Sequence, residues 1–137
     1  MSYGVSLALQ GAVYVALRDD TALTALVGED IYDGMPTGTV PSLYVSLGEE
    51  TVTDRSDATD GGAWHDFVVS VVTEANGFAQ AKEVAGAVSD ALLGGPLTLA
   101  RGHLVGIWFR QAVARRVQKS GLRRIDLRFR AQVQDNS

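Results

Sequence analysis

The chain's pattern predicts an α+β domain, with two main helices packed on one face of a mostly antiparallel sheet, plus a short helix and a C-terminal β-hairpin. Three observations carry it. Two long stretches place apolar residues at helical spacing, several others are β-branched or alternating, and the last segment switches strictly between apolar and polar residues. At 137 residues the chain suits one domain spanning 1–137. A domain of this size buries about two-thirds of the surface its unfolded chain exposes.

Val5, Leu9, Ala12, Val13 and Ala16 recur at helical spacing, and Arg18 follows near the end, where a cation suits the carbonyl pole. Asp20 caps a second, short helix over 21–27, which Gly28 stops. Ile31 and Tyr32 are extended; Gly34, Pro36, Gly38 and Pro41 then bar regular structure until Leu43, Val45 and Leu47 alternate with Tyr44 and Ser46. Residues 64–73 read as a strand covered on both faces, because 67–72 are nearly all apolar or β-branched, and such a strand belongs at the centre of its sheet.

Asn76 is the expected cap of the next helix, whose Phe78, Ala81, Ala85, Val88 and Leu92 form one stripe ended by Gly94-Gly95-Pro96. A short strand at 97–99, a turn at Arg101-Gly102 and a long extended run over 104–117 follow, and Ser120-Gly121 turns the chain back. The final strand sets Ile125, Leu127, Phe129, Ala131 and Val133 on one face and Arg124, Asp126, Arg128, Arg130 and Gln132 on the other. Between two strands, residues 48–62 (GEETVTDRSDATDGG) hold Glu49, Glu50, Asp54, Asp57 and Asp60 against a single Arg55, and read as a mobile insertion projecting into solvent.

Charge is segregated. Nine of twelve basic residues lie in the last 37 positions and fourteen of sixteen acidic residues in the first 100, giving the two parts formal charges of +7 and −11. Either these clusters neutralise each other inside the fold or they face oppositely charged partners. The basic residues Arg115, Arg116, Lys119, Arg123, Arg124, Arg128 and Arg130 gather around the C-terminal hairpin, where they are suited to track a phosphate backbone. A nucleic-acid-binding domain is therefore the alternative reading. Against it stand a pI of about 5.0 and the scarcity of aromatic residues placed to stack bases, Trp108 and Phe109 being the nearest.

Other chemistry is thinly represented. His65 and His103 are the only imidazoles and neither lies beside a nucleophile signature, so no enzyme activity and no catalytic residue is expected. Asp54, Asp57 and Asp60 are three apart, whereas a calcium loop needs oxygens at alternate positions closed by a glutamate. No phosphate-binding glycine motif is present, and the lack of cysteine removes both disulfides and thiolate zinc sites. Neither a metal nor a cofactor is expected. No run reaches the ~18 uninterrupted apolar residues of a membrane span, and the apolar N-terminus lacks a basic segment ahead of it. No membrane is implied.

Leu7, Tyr14 and Val15 lie outside the main stripe of the first helix, and 67–72 is apolar on both faces. This surplus is either buried between subunits or covered within one chain.

In order, LALQGAVYVALRDDTALTALVGEDIYDGMP, PSLYVSLGEE, HDFVVSVVTEANGFAQAKEVAGAVSDALLG and LRRIDLRFRAQVQ resemble the tail completion, or tail terminator, family of long-tailed phages and gene transfer agents. The resemblance covers almost the whole chain. It implies a structural virion protein, assembled in the host cytoplasm and seated at the head–tail junction. Its copies would form a ring, typically a hexamer, which caps the tail tube, joins it to the head connector and lets DNA pass through its channel. Expected partners are further copies of itself, the major tail tube protein and the head–tail connector. Another ring-forming head–tail connector component is the second alternative, and no active site comes with the resemblance. The loop from Glu49 to Asp60 is the candidate for the channel or one ring face, since carboxylates there repel phosphate, and the basic hairpin is the candidate for the opposite contact. Neither assignment belongs to the family motif.

Overall fold

The computed structural model describes residues 3–34, 36, 38–55 and 62–135. Its elements run α1 (Val5–Asp19), α2 (Thr21–Val27), β1 (Ile31–Asp33), β2 (Leu43–Asp54), β3 (Gly62–Thr73), α3 (Ala79–Leu93), β4 (His103–Arg116) and β5 (Arg123–Gln134). The strands form one sheet in the order β1-β2-β3-β5-β4. Only β1 and β2 are parallel; the other pairs are antiparallel, and β4 and β5 form the expected hairpin.

Local chemistry accounts for the helix ends. The Asp20 carboxylate accepts a 2.9 Å hydrogen bond from the Leu23 amide at the start of α2. Gly28 takes a φ of +60° at its end, a conformation in which a side chain is strained. For α3 the expectation fails: Phe78, not Asn76, occupies the cap position, and its side chain makes no capping hydrogen bond. The Thr73 hydroxyl holds the approach instead, accepting from the Ala75 amide at 3.0 Å and donating to Gln80 Oε1 at 2.8 Å.

The core lies between the helical layer and one face of the sheet. Val5, Leu9, Val13 and Leu17 of α1, and Val84, Val88 and Leu92 of α3, meet Val69, Val71, Ile125, Leu127 and Phe129 from the central strands. As the middle strand, β3 is buried on both faces: Val69 and Val71 join this core, while Val68, Ser70 and Val72 are buried on the other face. Its apolar surplus is thus covered within the chain. Leu7 and Val15 of α1, by contrast, stay 78% and 55% exposed.

Two sequence expectations are corrected. Residues 97–99 form no strand; Leu97 and Leu99 pack against the core by side chain alone from an irregular segment that follows Pro96. Nor do residues 48–62 form one loop. The ladder between β2 and β3 slips at residues 48 and 49 and then resumes from Glu50 paired with Phe67 to Asp54 paired with Ala63. The β-branched run Thr51-Val52-Thr53 favours this extension, and the irregularity after Leu47 is a bulge, which turns the strand without ending it. Glu49, Glu50 and Asp54 are therefore strand residues, while Asp57 and Asp60 lie outside the described residues. Among the described residues no helix is long and apolar enough to cross a membrane.

Candidate functional site

The basic hairpin is partly neutralised by its own fold. On the sheet face away from the helices, Arg124 Nε donates to Asp126 Oδ1 at 2.8 Å, and Ser70 Oγ donates to the same oxygen at 2.6 Å. Arg115 approaches the other carboxylate oxygen at 3.7 Å. Burial pushes the Asp126 carboxyl up, but these hydrogen bonds and cations together leave it below its ordinary value. Arg130 forks onto Asp66 at 2.8 and 3.1 Å, with its guanidinium 4.9 Å from the Trp64 ring centroid. Arg123 donates to the Ala75 carbonyl at 3.0 Å and lies over Phe78.

The neutralisation stops there. Arg110, Arg116, Lys119 and Arg128 are exposed and form no ion pair among the described residues. The acidic candidates divide likewise. Glu49 and Asp54 are exposed and unpaired among the described residues, whereas Glu50 turns inward. Its carboxylate accepts from Tyr3 at 2.9 Å, and its two oxygens stand 2.7 and 2.9 Å from Ser6 Oγ, which ties the start of α1 to β2.

Beneath this tie lies His65, with no solvent exposure, Nδ1 3.6 Å from Glu50 and no hydrogen bond at either ring nitrogen. Burial lowers its pKa, and the charges of Glu50 and Asp66 only partly oppose that. A neutral imidazole sealed from solvent, with no nucleophile hydrogen-bonded to it, is a packing residue. His103 is exposed at the start of β4. Among the described residues no group of three His, Cys, Asp or Glu side chains is placed to hold a metal ion.

The surface is instead equipped for contact. Val105, Trp108, Phe109 and Val113 of β4 are 41 to 48% exposed. Trp108 lies over Gly106, where a Cβ would come within 2.7 Å of its ring, and packs 6.0 Å from Trp64. On the helical layer, Leu7 and Val15 line a shallow apolar groove with Pro96 and Leu97. The sequence exposed the arginine cluster but not its partners. Asp126 was legible from the alternation that puts it beside Arg124, whereas Asp66, Ser70 and Tyr3 join these networks only through strand register and the α1 contact.

Charged edges and uncovered apolar strand residues, with no organised reactive centre among the described residues, suit a structural assembly module. The chain belongs to the tail completion protein gp17 family, whose model matches residues 11–134; it is a structural tail protein. Among 23 matching chains of solved structures, one from the virion of a native gene transfer agent particle is 59% identical. It superposes with a TM-score of 0.90, covering 97% of this chain and 99% of that one. No curated protein matches the chain.

Proposed function

We propose that this chain is the terminator of a phage-like tail, in the virion of a gene transfer agent or a long-tailed phage, with copies closed head to tail into a hexameric ring. The ring caps the tail tube, meets the head connector on its other face and leaves a channel for DNA. It is a structural part and not an enzyme. The observation that carries this reading is the match over nearly the full length to a chain of a gene transfer agent virion, together with membership of the tail completion family.

Physical features support it. Heterologous contacts close into rings when the rotation permits, and a ring stacked between two partners needs two chemically different faces. Lys119 and Arg128, and the carboxylate Asp54, exposed without an ion pair among the described residues, supply such a difference after internal neutralisation. Carboxylates facing a channel would also keep DNA from adhering.

The test is to purify the chain, with and without the tail tube protein, and to examine it by light scattering and negative-stain electron microscopy. A closed ring that seats on tube ends is expected. A monomer whose DNA affinity falls steeply with salt, and is lost on replacing Arg123, Arg124 and Arg128, would overturn the reading in favour of nucleic-acid binding. Changing Asp54, Asp57 and Asp60 together to Asn is expected to leave folding intact and to alter DNA passage or ring contacts.

A further inference from the structure

The sheet ends in two open edges of opposite charge. On one side β4 pairs only with β5, so the outward N–H and C=O groups of Leu104 to Arg116 have no ladder partner among the described residues. On the other side β1 pairs only with Val45 to Leu47 of β2, and among the described residues no strand pairs with the outer edge of β2 from the bulge to Asp54. Exposed edges of this length template pairing with another chain unless something covers them. Pro and Lys, the usual edge-blunting residues, are absent from β4 and from the free half of β2.

We infer that the β4 edge of one copy docks on the β1–β2 edge of a second copy, continuing the sheet from subunit to subunit. This rests on the ring reading above and specifies its lateral contact.

Direction and level both fit. β2 runs antiparallel to β3, β3 to β5 and β5 to β4, so β4 runs opposite to β2 within one copy. A neighbour turned about an axis along the strands therefore presents its β2 antiparallel to β4, the pairing sense with the better hydrogen bonds. Following the register across the sheet, Arg116 stands level with Leu43, two positions above the partner of Ile31, which is the level of Glu29. Arg110, bulged between Phe109 and Gln111, stands level with the bulge that holds Glu49. Both cations are exposed without an ion pair, and Glu49 is exposed without one among the described residues. Glu29 is 93% exposed, with only a loose 3.9 Å approach to Arg18. Unstaggered docking thus brings Arg110 to the level of Glu49 and Arg116 to the level of Glu29, with β1 standing one strand spacing, about 4.8 Å, outside β2.

The remaining length matches too. Leu104 to Trp108 stand at the level of Thr51 to Asp54, so the exposed Val105 and Trp108 meet β-branched residues. Charge match also excludes the wrong pairings: β4 against β4 would oppose arginines, and the acidic edge against itself would oppose carboxylates. Only head-to-tail association satisfies both edges.

Two charge-reversed chains test this. One carries Arg110→Glu with Arg116→Glu, so both its edges are acidic; the other carries Glu29→Lys with Glu49→Lys, so both are basic. Each alone should self-associate at least tenfold more weakly than wild type in sedimentation velocity. A one-to-one mixture should recover association, because each reversed edge then meets its complement. Recovery also shows that both variants are folded.

If the wild type forms rings and either variant alone forms them equally well, or if the mixture fails to recover while both variants keep native circular dichroism, the edge contact is wrong and the ring reading stands. Should the wild type stay monomeric even with tube ends present, the ring reading fails, and this contact fails with it.

Discussion

The two strands of the C-terminal hairpin share a turn and a register yet have opposite fates. In β5, Ile125, Leu127, Phe129, Ala131 and Val133 are all at most 4% exposed, with Phe129 stacked on Phe67. In β4 no residue is buried, although Ile107 and Phe109 stand directly beside Ala131 and Phe129 on the same sheet face. The difference is position. β5 lies between two strands beneath α3, whereas β4 has a neighbour on one side only, and small α3 residues such as Ala85 and Gly86 leave a trough above it. Strand chemistry alone does not decide whether an aromatic residue stabilises the monomer or waits for a partner; the number of flanking elements does.

Truncating both aromatic residues of one cross-strand pair should separate β5 from β4 by the widest margin. Phe129→Ala should cost about 3–5 kcal/mol in urea unfolding, because a close-packed cavity replaces a ring. Phe109→Ala, at the 45% exposed partner position, should cost about 1 kcal/mol or less while weakening self-association. Equal losses would show that β4 belongs to the core after all.

A second contrast lies among the charges. Asp126→Ala removes the shared acceptor of Ser70 and Arg124 and should cost about 1–3 kcal/mol, since partly buried polar groups lose their partner. Arg128→Ala, exposed and unpaired, should stay within about 0.5 kcal/mol of wild type. Comparable effects from both would mean that the arginine network on this face contributes nothing measurable.

Legibility in the sequence followed the same division. The α+β order, the central β3 and the inward set of β5 were readable because period and composition agree there with burial on both sides. The stop at Gly28 and the cap at Asp20 were readable because their chemistry is local. What escaped depends on distant partners. Extension of β2 through Glu49, Glu50 and Asp54 requires β3 as a template, and a window rich in carboxylates reads as loop without it. The internal role of Glu50 depends on Tyr3 and Ser6, more than forty positions away. Leu97 and Leu99 resembled a strand because side-chain burial and ladder pairing leave the same mark on three residues. Of the charged clusters, the sequence revealed existence but not which half would be neutralised inside.

The smallest expected effect separates the buried His65 from the partly buried Asp126 by pH. His65 is sealed from solvent and its folded pKa is depressed, chiefly by burial, with Glu50 and Asp66 opposing. The unfolded chain then binds the proton more readily, so stability is fully present above the ordinary value of 6.5 and declines as pH falls from there toward the folded value. Asp126 also has a lowered folded pKa, but its contribution is complete above its ordinary value of 3.8 and is lost only below that. Urea midpoints should therefore slope downward with acidification from pH 6.5, before any carboxylate of ordinary pKa responds, and steepen again below about 4. His65→Phe should flatten the first segment and leave the second, whereas Asp126→Asn should do the reverse. A wild-type midpoint that is level between pH 7 and pH 5 would mean that His65 gains its proton in the folded protein without penalty. The tie between α1 and β2 would then have to open far enough to admit water.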